Sequence, residues 1–404
     1  MKHCLCLISA ILMSGAPDFV RAGESAVIDE MDAVSFKGLD GKAVVELAEG
    51  REGKALRFVF PKGAQSTFAI GRARGKPEWD AAEGFSFWAK GSASPQLAAL
   101  QFVWGEDFGL RYDFAFPLEG AEWRKIVVPW RDLIPVLPAP GAKPIGVANG
   151  NAPSKLGALW FGRWWYWREY PALDFAIDGI RLEASIPLEA HNFKPVGAPL
   201  ARVLAKLQRG EVVTILTMGD SLTDTAHWAN RKTNWPALLE AQLRVAHKSD
   251  VKLVNPAIGG TQLRQNVVLI PRWTATTPEP DLVTICFGYN DWEASMRGDM
   301  FFEAQKDAVE RIRRATNGKA DVLIMTTVPA LERWTTMTEL ADACRRAAHE
   351  TNAGLADLEA AYYAAGGDDR ARLYVDDKTH AAPAGHELIA ETVFRAIERN
   401  GAAK

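Results

Sequence analysis

The hydrophobic pattern of this chain changes near residue 210, and the later pattern constrains the fold most strongly. Beyond that point, continuous apolar runs alternate with segments whose apolar residues recur at helical spacing. Such runs predict strands of a parallel sheet that helices cover on both faces. The predicted strands are 212–218, 251–254, 281–287, 321–328 and 354–358. The predicted helices are 235–245, 301–315, 338–350 and 386–400. We therefore expect an α/β domain at residues 210–404.

The earlier part of the chain consists of short segments that alternate between apolar and polar residues. The clearest is 108–116, where one face carries Phe108, Leu110, Tyr112, Phe114 and Phe116. This period of two predicts a half-buried strand. Similar segments are 56–60, 84–88, 123–128 and 174–182. Many short strands without an evident helix predict an all-β sandwich at residues 23–186. A linker, 187–209, should contain a helix at 200–208.

Residues 1–22 have the composition of a secretory signal peptide. A basic start, Met1–His3, precedes the apolar run Cys4–Met13, and small residues flank Arg21 before the expected cleavage after Ala22. Because this run is too short to span a bilayer, cleavage is favoured over a membrane anchor. The expected product is exported, periplasmic or extracellular, and free of the membrane. The full chain has a net charge of −3, so it has no overall positive charge that would attract nucleic acid.

Cysteine and histidine spacing gives no sign of a metal or cofactor site. Cys286 and Cys344 are the cysteines that remain after signal cleavage. Export would permit a disulfide between them, but two buried thiols are the favoured interpretation.

Polar and glycine-rich sequences follow three predicted strands of the parallel sheet, and a fourth such sequence precedes the last helix. They are Gly219–Leu222, Asn255–Thr261, Gly288–Asp291 and Asp377–His380. Functional sites in parallel sheets collect at the carboxyl ends of the strands, so we expect these sequences to meet.

In this order, the four sequences resemble the motifs of the SGNH superfamily, also called GDSL hydrolases. The resemblance extends from residue 210 to about residue 400. It implies a three-layer α/β/α domain with serine esterase or lipase activity.

Ser221 is the candidate nucleophile, and a serine hydroxyl needs a base. Two histidines follow an aspartate by three residues, namely His227 and His380. We expect His227 to share a helix with Ser221 and to point away from it. His380 is distant in sequence, so its loop can fold over the strand ends, and the family pattern also places the base there. We therefore assign Ser221 as nucleophile, His380 as base and Asp377 as the orienting carboxylate.

The resemblance also implies donors for an oxyanion. They are the amide of Ser221, the amide of Gly260 and the side chain of Asn290. Gly259, one residue earlier, stays an alternative to Gly260.

Several neighbouring residues have structural interpretations. Asp220 and Asp291 should bond loop amides, and His386 should be a capping or buried residue. His227 and Trp228 either border the site or pack within a helix.

Aromatic residues favour a sugar as the substrate. Trp292 directly follows the Asn290 motif and should lie close to Ser221, although loop packing is an equal alternative. In the aromatic stretch 160–170, a strand would place Trp165 and Trp167 on one side and Trp164 on the other. We expect part of this stretch to hold a glycan near the cleft, or to form an interdomain seam.

The first domain also bears on the substrate. Segments 83–88, 122–130 and 174–182 resemble jelly-roll carbohydrate-binding modules of the galactose-binding-like type. No apolar lid for a fatty acyl chain is evident, which favours a short acyl group. The combined interpretation is an exported esterase that deacetylates a glycan. Two alternatives are a lipid or aryl esterase with a structural β-domain, and a glycan-binding protein on a decayed hydrolase scaffold. The complete set of site residues argues against decay.

Overall fold

A computed structural model describes residues 26–39, 41–63, 67–91, 96–105, 110–133, 135, 143–167, 170–187 and 191–402. The predicted signal peptide lies outside the described residues, as do Phe108 and Gly109 of the 108–116 segment. No helix in the described ranges is long and apolar enough to cross a membrane.

The N-terminal part is built from two antiparallel sheets. Its strands are β1 (Val27–Asp29), β2 (Phe36–Gly38), β3 (Val44–Glu49), β4 (Lys54–Phe60), β5 (Phe68–Arg72), β6 (Gly84–Lys90), β7 (Leu97–Trp104), β8 (Leu110–Pro117), β9 (Arg124–Pro129), β10 (Leu156–Gly162) and β11 (Leu173–Glu183). One sheet has the order β3-β4-β11-β6-β9, with β1 paired to β11. The other has the order β2-β5-β10-β7-β8.

One aromatic core lies between these sheets. Phe58 of β4 stacks on Phe175 of β11, with ring centroids 5.3 Å apart. Phe85 of β6 meets Phe102 of the opposite sheet edge-on at 5.2 Å. Aromatic pairs at such distances add to the stability that burial itself provides. The predicted all-β sandwich is confirmed.

Strand β8 is buried on both faces, unlike the half-buried strand that its alternation predicts. Tyr112 and Phe116 enter the sandwich core. Asp113 and Ala115 point the other way and are nevertheless buried. Ala115 belongs to an apolar cluster that also contains Ile258 and Leu269 of the second domain. The second domain therefore covers this face of β8, which would otherwise be exposed to solvent.

The C-terminal part contains one parallel sheet with the strand order β13-β12-β14-β15-β16. Its strands are β12 (Val213–Gly219), β13 (Val251–Val254), β14 (Leu282–Cys286), β15 (Asp321–Met325) and β16 (Gly354–Ala356). The helices are α1 (Ala201–Gln208), α2 (Trp235–His247), α3 (Leu263–Val268), α4 (Ile270–Thr274), α5 (Tyr289–Glu293), α6 (Gly298–Ala315), α7 (Thr338–Thr351), α8 (Leu358–Gly366) and α9 (Pro383–Gly401).

Helices cover both faces of this sheet, and β12 shows it directly. Its residues Val213 and Ile215 pack in the same cluster as α1, α2 and α9. Leu216 and Met218 pack on the opposite side with α6 and other helices. Residues of one strand point alternately to two faces, so this division demonstrates three layers. The expected α/β/α domain is confirmed.

Candidate active site

Ser221 lies in a tight turn directly after β12, rather than at the start of a helix. The amides of Thr223 and Asp224 both donate to the Asp220 carbonyl oxygen, at 3.0 and 2.9 Å. The next α-helix, α2, begins only at Trp235. Ser221 and His227 therefore do not share the helix that the sequence predicted.

Side chains hold this turn in its non-helical form. Asp220 Oδ1 accepts from the Leu222 amide at 3.0 Å, and Asp224 Oδ1 accepts from the Ala226 amide at 2.9 Å. Asn230 donates to the Ser221 carbonyl oxygen at 2.6 Å. Such side-chain bonds to the backbone compete with helical hydrogen bonds.

The structure brings Ser221, His380 and Asp377 together in a continuous hydrogen-bonded chain. His380 Nε2 lies 2.9 Å from Ser221 Oγ. His380 Nδ1 lies 2.6 Å from Asp377 Oδ2. The imidazole side chain is 15% exposed, and the carboxylate side chain is 34% exposed. This geometry can pass a proton from the hydroxyl to the imidazole while the carboxylate holds the ring.

Asp377 is kept ionised by its surroundings. Burial alone would raise its pKa, but hydrogen bonds from the amides of His380 and Thr379 and from the His380 ring hold the pKa below its ordinary value. Both amides donate to Asp377 Oδ1 at 2.9 Å, which leaves Oδ2 for the imidazole. The carboxylate thus faces His380 with its negative charge in place.

The loop after β13 distinguishes between the two candidate glycines. The Gly259 amide donates to Asp224 Oδ2 at 3.0 Å, so it is already engaged. Gly260 adopts φ +76°, a conformation that glycine accepts without strain. Within the described residues, neither the Gly260 amide nor the Ser221 amide donates a hydrogen bond. The geometry therefore favours Gly260 over Gly259 as a donor to an oxyanion.

Asn290 is positioned by a glycine and by two acceptors. It lies in α5, which Gly288 introduces at φ +149°; a Cβ at Gly288 would lie 2.3 Å from Thr327 Oγ1. Asn290 Nδ2 is 3.2 Å from both Asp220 Oδ2 and the Thr261 carbonyl oxygen. These long bonds hold the amide between the turn of Ser221 and the loop of Gly260, and because they engage both Nδ2 hydrogens, one of them must break when Asn290 donates to an oxyanion.

Asp220 and Asp291 bond loop amides, as expected. Asp291 Oδ1 accepts from the Leu263 amide at 3.0 Å, while its Oδ2 is buried without a partner in the described structure. Burial raises the pKa of Asp220 to about 6 and that of Asp291 to about 7. Both carboxyls support the backbone of the loops that carry the site.

His227 lies on His380, contrary to the expectation that it points away. The two imidazole rings stack with centroids 4.2 Å apart and planes 24° apart. Trp228 follows at 6.0 Å from the His380 ring and is 56% exposed. The expectation was wrong because Ser221 and His227 share no helix. Of the two interpretations left open for His227 and Trp228, the structure supports a place at the site. His386 is buried, and its Nδ1 accepts from the Trp235 amide at 3.3 Å.

The aromatic stretch after β10 forms a turn rather than a strand, because the Trp167 amide donates to the Trp164 carbonyl oxygen at 3.2 Å. Trp164 and Trp167 are buried in the cluster with Ile258 of the second domain. Trp165 is 58% exposed and has no ring contact with a triad residue in the described structure. Two of the three proposed glycan contacts are thus enclosed in an interdomain seam.

Trp292 lies between two arginines. Arg333 and Arg297 stand over its ring at 4.4 and 5.1 Å from the centroid. The side chain also packs against the core between the sheet and α6. No ring contact joins Trp292 to Ser221, His380 or Asp377 in the described structure, so its predicted role in binding stays a prediction.

Cys286 and Cys344 are free and buried. Among the described residues, no group of three or more His, Cys, Asp or Glu side chains could hold a metal ion.

The GDSL-like Lipase/Acylhydrolase family model matches residues 217–388. No curated protein matches. The chain is similar to an acetylxylan esterase, Axe2, from Geobacillus stearothermophilus, at 24% identity and a TM-score of 0.40 over 47% of this chain and 96% of that chain. It is similar to the lipase/acylhydrolase from Enterococcus faecalis at 19% identity and a TM-score of 0.38 over 48% of this chain and 97% of that chain. The family match spans the loops that carry Ser221, Asn290 and His380.

Proposed function

We propose that the chain, whose residues 217–388 match the GDSL-like lipase/acylhydrolase family model, is an ester hydrolase that removes short acyl groups, acetyl above all, from a polysaccharide or its oligomers. The observation that carries the proposal is the hydrogen-bonded chain from Ser221 through His380 to Asp377.

The proposed reaction proceeds through an acyl-enzyme. Ser221 Oγ attacks the ester carbonyl carbon while His380 Nε2 takes the hydroxyl proton, and Asp377 stabilises the imidazolium. The oxyanion accepts hydrogen bonds from the Ser221 and Gly260 amides and from the Asn290 side chain. The C–O bond then breaks, and His380 returns the proton to the leaving alcohol. Water, activated by His380, attacks the acyl-enzyme and releases the carboxylic acid.

The choice of a sugar ester rests on two features. The β-sandwich resembles carbohydrate-binding modules in its strand segments, and an exposed tryptophan, Trp228, stands beside His380. Aromatic faces of this kind suit the apolar faces of sugar rings. Export, proposed from residues 1–22, would place the enzyme with such polymers.

Acetate release from a panel of acetylated polysaccharides tests this function. We expect release by the wild type and none above background by Ser221→Ala. Hydrolysis of alkyl or aryl acetates without any acetate release from acetylated glycans would overturn the sugar assignment and leave the ester hydrolase in place.

An aryl esterase is the second candidate, and Trp228 also favours it, because an aromatic leaving group can stack on an indole as well as a sugar can. The ratio of kcat/KM on a phenyl acetate to that on an acetylated glycan distinguishes the two. A ratio far above one, with negligible glycan turnover, would support the aryl esterase.

A further inference from the structure

Trp228 is the most exposed aromatic side chain in direct ring contact with the candidate catalytic histidine. Its ring lies 6.0 Å from His380 and 5.4 Å from His227, and it is 56% exposed. An indole can stack on the face of a bound ring, so its position beside the candidate base makes Trp228 a candidate contact for the substrate.

The backbone under Trp228 is firmly held. Trp228 begins a short 3-10 helix, Trp228–Asn230, at the end of which Asn230 is fully buried. Asn230 Nδ2 donates to the carbonyl oxygens of Ser221 and Asp224, at 2.6 and 2.8 Å. The same side chain thus fixes the turn of the nucleophile and the segment that presents the indole. Trp228 is a preorganised surface, which lowers the entropy cost of binding.

The chemistry decides which part of a substrate reaches this surface. His380 Nε2 must return a proton to the leaving alcohol, so that oxygen has to come within about 3 Å of the nitrogen. His227 covers one face of the imidazole, because the two rings stack at 4.2 Å. Trp228 flanks the same imidazole with ring centroids 6.0 Å apart, so a ring on the leaving alcohol that approaches Nε2 comes within reach of the indole.

We propose that Trp228 is the platform for the sugar ring that carries the ester, on the leaving-alcohol side of Ser221 and His380. This deepens the proposed function and rests on it. Because the ring in question is the one that bears the acyl group, Trp228 should act even on a monosaccharide ester. Trp165, which has no ring contact with the triad in the described structure, should not.

The test compares a mono-O-acetylated methyl glucoside with ethyl acetate, whose leaving alcohol has no ring. We expect Trp228→Ala to raise KM for the sugar ester at least tenfold and to change KM for ethyl acetate less than threefold. Trp228→Tyr, which keeps an aromatic face, should recover most of the lost affinity. Trp165→Ala removes an indole of nearly equal exposure, 58% against 56%, and should keep the wild-type KM for the sugar ester.

Three results would overturn the proposal. The first is equal KM changes of Trp228→Ala on both esters, and the second is no recovery by Trp228→Tyr. The third is a larger KM change on ethyl hexanoate than on the sugar ester, since it would assign the acyl chain to Trp228. If the wild type hydrolyses ethyl acetate but no acetylated sugar, the proposed function fails as well. If it hydrolyses both and Trp228→Ala behaves as wild type, only this inference fails.

Discussion

The imidazole of His227 stacks on the imidazole of His380, with ring centroids 4.2 Å apart. Asp377 and Ser221 restrain the two nitrogens of His380, whereas His227 restrains the face of its ring. Hydrogen bonds therefore restrain the imidazole within its ring plane, and the stacked His227 ring restrains its movement perpendicular to that plane.

His227→Ala should lower kcat on ethyl acetate by about 2- to 10-fold, since aromatic pairs contribute about 0.5–1.5 kcal/mol. His227→Phe keeps a ring over His380 and should stay close to wild type. Steady-state kinetics of the two variants measure this difference. Equal losses in both would mean that the imidazole acts through its nitrogens rather than by stacking.

Ser221→Ala should reduce kcat by about 10⁴ or more while the fold stays intact, by analogy with other triads. His380→Ala should do nearly the same, because the hydroxyl would lack a base. Single-turnover kinetics and thermal unfolding of both variants check this. A dead His227→Ala beside an active His380→Ala would identify His227 as the base.

Asn290→Ala should reduce kcat by about 10²–10³ with little change in KM, because a donor to the oxyanion matters mainly in the transition state. The assay is hydrolysis of an acetate ester under saturating conditions. A kcat within threefold of wild type, in a variant that unfolds at the wild-type temperature, would remove Asn290 from the oxyanion hole.

Asp291→Asn should weaken the pH dependence of stability. Burial raises the pKa of Asp291 to about 7, from an ordinary 3.8. Between these values the unfolded chain has lost the proton that the folded protein keeps, so this group's contribution is complete below pH 3.8 and is lost as pH rises through about 7. Asparagine keeps an acceptor for the Leu263 amide and cannot ionise.

Urea unfolding of wild type and Asp291→Asn at pH 4.5, 6 and 7.5 measures this effect, with the pH values set by the window above. The free energy of unfolding should fall less steeply with pH in the variant. Parallel pH curves for the two proteins would contradict the prediction.

Trp164→Ala and Trp165→Ala form a matched pair of neighbours. Trp164 is fully buried, and Trp165 is 58% exposed. Removal of a buried tryptophan costs about 3–5 kcal/mol of unfolding free energy, whereas an exposed one costs about 0.5 kcal/mol or less. Chemical denaturation of both variants gives the comparison. Similar losses would mean that the interdomain cluster does not stabilise the protein.

The parallel sheet could be predicted from the sequence because its strands are continuous apolar runs. The predicted strand 251–254 agrees with the observed β13, and 321–328 overlaps β15. The short helices α3, α4 and α5 could not be predicted, since five or six residues are too few to show a helical period.

The residues of the candidate triad were recognisable from their motifs, and the structure brings them together. The stack of His227 on His380 was not recognisable, because a helix shared by Ser221 and His227 would point the His227 side chain away from Ser221. Their actual path depends on the Asp220, Asp224 and Asn230 side chains bonding the backbone, and a pattern of apolar residues does not record such bonds. The burial of the outer face of β8 could not be predicted either, because the alternation of apolar and polar residues does not show whether the second face of a strand meets solvent or another domain.

The interdomain cluster has a consequence for recombination between genes. Trp164 and Trp167 of the first domain pack with Ile258, which lies two residues before Gly260 in the loop beside Ser221. An exchange that joined this hydrolase to another β-module would uncover that apolar patch unless the turn Trp164–Trp167 and the outer face of β8 travelled with it. The smallest unit that could be exchanged without exposing this patch is therefore the hydrolase domain together with the turn Trp164–Trp167 and the outer face of β8. A domain boundary placed in the linker would separate these parts.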